Sequence, residues 1–503
     1  MEVDVEDYGG SRALGVGLVL ALLVAAAVYF LVFGDFNADS GGIEQKDGTA
    51  GCVSADGTGG FSDGSEDGEC AVAPALGLPT ALALSPDGRS AYVAGHREAV
   101  ATLRRAAPGG GLSAVRGRAG CHSRDGTAGG ERARKLREPP ALGKTRTCTT
   151  ARGMFGVTDV TVSPDGRNVY VGSSDGLAIF DRDRRSGRLT QKPGPAGCMT
   201  LTGAERGGRV ERPTCSRAAG LYGAGSVTVS PDGQNVYVTS AEVLTFRRDA
   251  TSGELTRLEG RAGCVATTRT GAGGIPCAAD PAIDGATAIA ISGDGRHAYT
   301  TSGADPRGSG ALAILARDPG SGALTPVPGR AGCISQGGDC RRAGGLEGAA
   351  AIAFSSDARD AYVVSALGCA VVLFRRDAGT GALTQRSGDA GIATKHGDSG
   401  ACANREAGDS TGFVGGAVSV SRDGRSVVVT ARAGVALYSR DRRDGSLSYE
   451  GCVSDDGEGT CEDVKALNIP IAPVISPGGG DLYVAVQGGD AVAAFALPRP
   501  AAR

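Results

Sequence analysis

"SPDGRNVYVGS", residues 163–173, joins a short polar turn to a run of alternating β-branched and aromatic residues. Pro fixes φ near about −65°, Asp can bond its own backbone and Gly accepts positive φ, so the first four residues bend the chain. The run after them has the period of two that belongs to a strand. The same pattern recurs from Ser85, Ser230, Ser292, Ser355, Ser421 and Ser476, as "SPDGRSAYVAG", "SPDGQNVYVTS", "SGDGRHAYTTS", "SSDARDAYVVS", "SRDGRSVVVTA" and "SPGGGDLYVAV". With Ser163 this makes seven copies, at a mean spacing of about 65 residues, so the chain is a repeat protein.

Each copy follows an apolar strand ("DVTVS", "SVTVS", "AIAIS") and precedes a third ("LAIFDRD", "VLTFRRD", "VVLFRRD"). A fourth strand comes after a Gly turn ("SGRLTQ", "SGELTR", "TGALTQ"). Four antiparallel strands per repeat make a propeller blade, and the fold class is all-β, a seven-bladed β-propeller. The repeat is longer than the roughly 40 to 50 residues of common propeller repeats. The surplus is a Gly-rich cysteine loop, expected between the fourth strand of one blade and the first of the next. Strands alternate in direction, so these loops share one face and the SPDG and Ser-Gly turns share the other.

The seventh repeat has three strands ("PVIS", "DLYVAV", "AVAAFAL") and no fourth. Residues 43–52, "IEQKDGTAGC", align without a gap on residues 189–198, "LTQKPGPAGC", a fourth strand leading into its cysteine. The N-terminal segment is therefore expected to complete the last blade and leave no open edge, in preference to an open solenoid. The combination of "SPDG-x-x-x-YV" and "RD-x-x-[ST]-G-x-L-T" resembles the YVTN-type, lactonase-like family of seven-bladed propellers over about residues 43–497. That resemblance implies the fold and lactone-ring opening, with acidic or histidine groups and a bound cation activating water; no catalytic motif matches residue by residue.

The domain reading is a short cytoplasmic N-terminus (1–12), a transmembrane helix (13–33), a linker (34–42), the propeller (43–497) and a tail (498–503). The span, "ALGVGLVLALLVAAAVYFLVF", is 21 uncharged residues, enough helix to cross a core of about 30 Å. Its acidic flank and the absence of a small-residue cleavage site directly after it favour an anchor over a signal peptide. Arg12 precedes the span and the next basic residue is Lys46, which puts the propeller outside the cytoplasm, on the cell membrane.

The 14 cysteines fall mostly in close pairs within the loops: Cys52 with Cys70, Cys121 with Cys148, Cys198 with Cys215, Cys264 with Cys277, Cys333 with Cys340 and Cys452 with Cys461. Disulfides in an oxidising compartment explain them better than zinc, because C-x-x-C knuckles are absent. Ile392 stands where a cysteine is expected, so Cys402 is assigned to Cys369 on the same face.

Charge is nearly balanced, 52 basic against 55 acidic residues, which excludes a nucleic-acid partner. The chain has no Trp and 11 Tyr, six of them on the repeat strand, so few aromatics remain for a glycan platform. Eight residues before each turn serine the sequence reads Gly77, Phe155, Tyr222, Asp284, Glu347, Phe413 and Asn468. This varied ring at the channel mouth is the candidate ligand site. Asp284 and Glu347, on adjacent blades, are the candidate catalytic acid and base, or the holders of a divalent cation; no other cofactor is expected. His96, His122 and His396 belong to the loop face and His297 to a turn on the other, too scattered for a triad. "DGSEDG", residues 63–68, has half of a calcium loop, but Pro74 stands where its last ligand belongs. The expected function is a membrane-anchored extracytoplasmic module binding a protein or small molecule through its disulfide-loop face. The alternative is a lactonase-like hydrolase acting at the channel mouth.

Overall fold

The computed structural model describes residues 42–58, 69–128, 147–206, 213–303, 310–336, 338–366, 370–386, 392–393, 416–431, 434–455 and 461–498. The expected span at 13–33, Phe413, His396, the acidic loop at 63–68 and the pairing of Cys369 with Cys402 lie outside those residues. No helix among the described residues is long and apolar enough to cross a membrane.

Seven sheets follow one another along the chain. Their inner strands are Pro79–Leu84, Val157–Val162, Val227–Val229, Ala286–Ile291, Ala349–Phe354, Val418–Val420 and Pro470–Ile475, and they number blades 1 to 7. In blade 2, Val157–Val162 pairs antiparallel with Asn168–Ser173, which pairs with Gly176–Arg182. Every residue of Asn168–Ser173 is buried, because a middle strand is covered on both faces by neighbouring blades. The ring closes as expected. In the seventh blade Glu44 pairs with Ala496, Gln45 with Phe495, and Cys52, Val53 and Ser54 with Ala493, Val492 and Ala491. Ile43, 1% exposed, joins Leu482, Phe495 and Leu497 in one core cluster.

The cysteine loop lies between the fourth strand and the next blade as expected, but the fourth strand extends further and takes in the first cysteine. In blade 2 Leu189–Gln191 pairs with one end of the third strand, a 3-10 turn over Gly194–Gly197 intervenes, and Cys198–Thr200 returns to pair with the other end. The first cysteine is therefore part of the fourth strand. Past the loop, Ser216–Arg217 lies parallel to Cys198–Thr200 as a fifth edge strand, held by the disulfide from Cys198 to Cys215. The glycine of each "AGC" has a steric reason: a Cβ on Gly197 would lie 2.2 Å from the Lys192 carbonyl oxygen, and on Gly332 1.8 Å from that of Val327. The parallel strand covers an edge that would otherwise offer free N–H and C=O groups.

The same staple is repeated around the ring. Disulfides join Cys52 to Cys70, Cys121 to Cys148, Cys264 to Cys277, Cys333 to Cys340 and Cys452 to Cys461. The sequence reading put the second cysteine of each pair inside a surface loop. Instead Cys70, Cys277 and Cys461 are buried, and each stands directly before a fifth strand: Ala71–Val72, Ala278–Ala279 and Glu462–Asp463. Those strands lie parallel to the ones that begin at, or contain, Cys52, Cys264 and Cys452. A two-residue edge strand has too few ladder bonds to hold itself, so the cross-link fixes its register. These cysteines serve the blade and are not contact groups of the loop face.

The repeated turn is built to receive an arginine from the next blade. Ser163 Oγ donates to Asp165 Oδ1 at 2.6 Å and accepts from the Asn168 amide at 3.0 Å, while Gly166 takes φ +68°. Ala358 holds the corresponding place in blade 5 at φ 55°, where a side chain costs about 1 kcal/mol. At the first boundary Arg182 donates from Nε to Tyr92 Oη (2.7 Å), from Nη1 to the Gly166 carbonyl (3.0 Å) and from Nη2 to both oxygens of Asp87 (3.1 Å). Tyr92 donates its own proton to the Gly187 carbonyl at 2.7 Å. The clasp recurs as Arg248 with Asp165 and Tyr170, Arg317 with Asp232 and Tyr237, Arg376 with Asp294 and Tyr299, and Arg440 with Asp357 and Tyr362. Across the closing boundary Arg105 takes Tyr483 and Asp481.

Burial pulls the Asp87 carboxyl up, but the Ser85 hydroxyl, the Arg89 amide and Arg182 outweigh it and hold it below its ordinary value. Asp165, Asp232, Asp294 and Asp357 shift the same way. The boundary between blades 6 and 7 lacks the clasp: Val428 and Leu497 stand at the tyrosine and arginine positions and share an apolar cluster.

Candidate functional site

The loop face starts each inner strand, and the predicted ring residues lie there in different settings. Gly77 lies against Arg97, whose Cδ a Cβ would meet at 2.5 Å. The Phe155 ring has the guanidinium carbons of Arg206 and Arg124 at 4.4 and 5.2 Å from its centroid. Tyr222 is 50% exposed. Asp284 is exposed at the end of the 3-10 turn Pro281–Ile283, which Asp280 caps by accepting from the Ala282 amide at 3.0 Å. Glu347 and Asn468 are half-buried; their carbonyls accept from Ser365 Oγ and the Gly488 amide. Neither the Asp284 nor the Glu347 carboxylate makes a hydrogen bond or ion pair among the described residues, and no cluster of three His, Cys, Asp or Glu there is arranged to hold a metal.

The sequence reading missed a second set of carboxylates. The residue just before the third strand is Asp490, Glu98, Asp175 and Glu242 in blades 7, 1, 2 and 3, which are consecutive around the ring. Asp490 accepts from the Leu78 amide at 2.6 Å and pairs with Arg97 at 3.5 Å. Glu98 pairs with Arg124 at 3.7 Å. Asp175 accepts from the Arg206 amide at 3.1 Å, and Glu242 from the Ala272 amide. Each carboxylate thus fixes a segment of loop. Burial raises the pKa of Asp175 and of Glu242. The signal was the acid in "REAV", "SDGL", "AEVL" and "GDAV", which repeat alignment on the third strand would have picked out.

Among the described residues of the seven inner strands Asp159 is the only ionisable side chain. It bridges to blade 3 by accepting from the Val227 amide at 2.7 Å. Its enclosure pushes its pKa up to about 6 against the opposing hydrogen bonds from Val227, Val160 and Ser226. Its counterparts are Ala81, Ser226, Ala288, Ala351, Ala417 and Ala472, none of them ionisable, so the departure was visible in "DVTVS".

The histidines are dispersed. His96 lies half-buried on the loop face, its amide donating to the Leu78 carbonyl at 2.9 Å. His297 does not sit in the turn: it opens a buried strand, with Nδ1 2.9 Å from Arg376 Nη2 in the clasp. His122 is buried in the fourth strand of blade 1, edge-on to Phe180.

Two cavities stand out. One, of about 390 Å³, is lined by Leu84, Phe354, Val420, Val474 and Ile475, with Arg422 at its rim. Blades 1 and 5 are not neighbours, so it spans the ring axis at the turn face, opposite the predicted mouth. The other, of about 450 Å³, lies at the outer rim between blades 1 and 2.

No protein-family profile matches the chain, and no curated protein matches it. Solved structures of similar fold include a periplasmic gluconolactonase of Pseudomonas aeruginosa, 15% identical, TM-score 0.45, covering 86% of this chain and 90% of that one. A Bacteroides uniformis protein described as a 6-phosphogluconolactonase is 14% identical, TM-score 0.45, with 80% and 89% covered. Hydrazine synthase of Kuenenia stuttgartiensis is 12% identical, TM-score 0.45, with 87% and 99% covered. At these values the likenesses say nothing about chemistry.

Proposed function

We propose that the chain is a membrane-anchored, extracytoplasmic binding module that engages a protein or small molecule through its disulfide-loop face. The observation that carries this reading is the arc of loops held by Asp490, Glu98, Asp175 and Glu242, which presents Arg206 stacked on Phe155 and, one blade on, the exposed ring of Tyr222. Guanidinium and aromatic groups fixed in advance are the residues that dominate binding energy, because little entropy remains to be lost on docking. Disulfide staples and the apolar stretch at 13–33 support placement outside the cytoplasm on a membrane.

The alternative, opening of a lactone ring at the channel mouth, rests on the repeat resemblance and on Asp284 and Glu347. It needs those two carboxylates to act together, and neither makes a hydrogen bond or ion pair among the described residues.

The test places a photo-crosslinking residue at Tyr222 and, in a second preparation, at Arg422 on the turn face, in the full chain in its producing membrane. The expected result is one adduct from position 222 that is lost on Arg206→Ala, and none from 422. Equal labelling from both faces, or an adduct indifferent to Arg206→Ala, would overturn the reading. Lactone turnover abolished by Asp284→Asn would establish the alternative instead.

A further inference from the structure

The seven repeats act as controls for one another, and they single out His122. The residue after the first loop cysteine is Val53, His122, Met199, Val265, Ile334 and Val453 in blades 7, 1, 2, 3, 4 and 6, and Ala393 follows Ile392 in blade 5. Only blade 1 puts a polar group at this apolar position. The imidazole is 2% exposed and its Nδ1 has no hydrogen-bond partner among the described residues. An imidazole left unmet in this way is costlier at this position than the valine that blades 7, 3 and 6 place there.

His122 lines the rim cavity between blades 1 and 2, and the rest of that wall is rich in donors. Arg152 donates Nη1 to the Thr214 carbonyl (2.6 Å) and Nη2 to the Lys192 carbonyl (3.0 Å), and has no carboxylate partner among the described residues. Lys192, 6% exposed, spends one of its three N–H groups on Asp181. Thr150 and Thr190 add hydroxyls. Gln191 is fully engaged with Arg152 and Gly197 and fixes the wall.

We propose that this rim cavity is a binding site for a small organic carboxylate, held by Arg152 and Lys192 and reached by a hydrogen bond from the imidazole of His122. A cavity of about 450 Å³ is within the range that small ligands use. Two cations and no carboxylate among the lining residues, with further unused donors, select an acceptor-rich anion over a neutral polyol or a cation. Burial lowers the His122 pKa to about 4, so at neutral pH the ring offers one N–H and does not add a third charge. The site lies on the rim and is independent of the loop-face reading.

The chain has four histidines, so ring-nitrogen NMR of the full-length, ¹⁵N-histidine-labelled protein resolves each, with His122→Val identifying its signal. That substitution installs the residue found in blades 7, 3 and 6 and leaves the fold intact, which a thermal melt checks. Titration with succinate is expected to move the His122 signals saturably at millimolar concentration, and Arg152→Gln to weaken binding by about tenfold. Binding followed by calorimetry is expected to disappear in His122→Val. His122 signals that stay still under succinate, an equal response to butane-1,4-diol, or unchanged affinity in Arg152→Gln would each overturn the assignment.

Discussion

The guanidinium of Arg182 crosses a blade boundary to donate from Nε to the hydroxyl of Tyr92 at 2.7 Å, and that contact explains the spelling of the repeat. Tyr92 needs a partner for a buried oxygen, Arg182 needs a carboxylate, and the Pro-Asp-Gly turn supplies Asp87 to it. Arg248→Met should therefore lower stability by roughly 1 to 3 kcal/mol, because the buried Tyr170 Oη and Asn168 Oδ1 lose a charged donor while the exposed Asp165 keeps its bond from Ser163. Urea unfolding of the variant against the parent measures it; a loss under about 1 kcal/mol, the range of an exposed pair, would contradict the account.

The unclasped boundary gives the converse expectation. Leu497→Arg should destabilise on its own, since it buries a cation where Val428 offers no hydroxyl. Paired with Val428→Tyr it should recover part of the loss, a coupling that a double-mutant cycle reads directly.

Two enclosed groups, the buried His122 and the half-buried Asp159, titrate in the same range with opposite signs. His122 has its pKa lowered from 6.5 to about 4, so the unfolded chain binds its proton first and the folded state loses stability as pH falls through that interval. Asp159 has its pKa raised from 3.8 to about 6, so the folded state binds the proton more tightly and loses stability as pH rises through that interval. Each effect amounts to about 3 kcal/mol at its limit. Relative to the parent, His122→Val should gain stability on acidification and Asp159→Asn should gain it as pH rises. Parallel stability profiles for parent and variants would refute both assignments.

The clasp carboxylates act lower on the scale. Their folded pKa values lie below 3.8, so their contribution is present above that pH and is lost as pH falls through the folded values. Cooperative acid unfolding of the parent is expected there, and it should begin at a higher pH in Arg248→Met.

Disulfide loops of different length should contribute unequally. Cys121–Cys148 closes a separation of 27 residues and Cys333–Cys340 one of 7. Chain entropy then gives about 3.6 against about 2.4 kcal/mol on removal of each pair by serine substitution. Denaturant midpoints of the two double variants test the order.

The sequence carried the ring and its closure because a repeat spaces its own landmarks: the serine, the tyrosine and the glycine before each cysteine all mark fixed places in a blade. Residues 43–52 were legible as a fourth strand because they align with residues 189–198 letter for letter at the points that matter. Cysteine spacing named the partners of Cys52, Cys264 and Cys452, but not that Cys70, Cys277 and Cys461 each open onto a fifth strand, since two residues are too few to show a period. The clasp escapes that reading: the arginine of "RD" ends a third strand, and strand periodicity does not show that it crosses to the tyrosine of the preceding blade, although Val428 and Leu497, on adjacent blades, mark the pair by their joint departure. The candidate ring was harder. Phe155 and Tyr222 reach the loop surface, yet whether side chains from adjacent blades meet depends on loop paths that spacing alone does not determine. Asp284 and Glu347 illustrate this, and Asp175 and Glu242 show the reverse, acids whose partners come from loops far along the chain.

The pairing of Glu44 with Ala496 also sets an order of events during synthesis. The two strands are about 450 residues apart, and contacts so distant in sequence form late and slowly. Six blades can take shape while residues 43–54 still have no mate. During that interval the nascent chain holds a bare β-edge open to mispairing, a cost of joining head to tail.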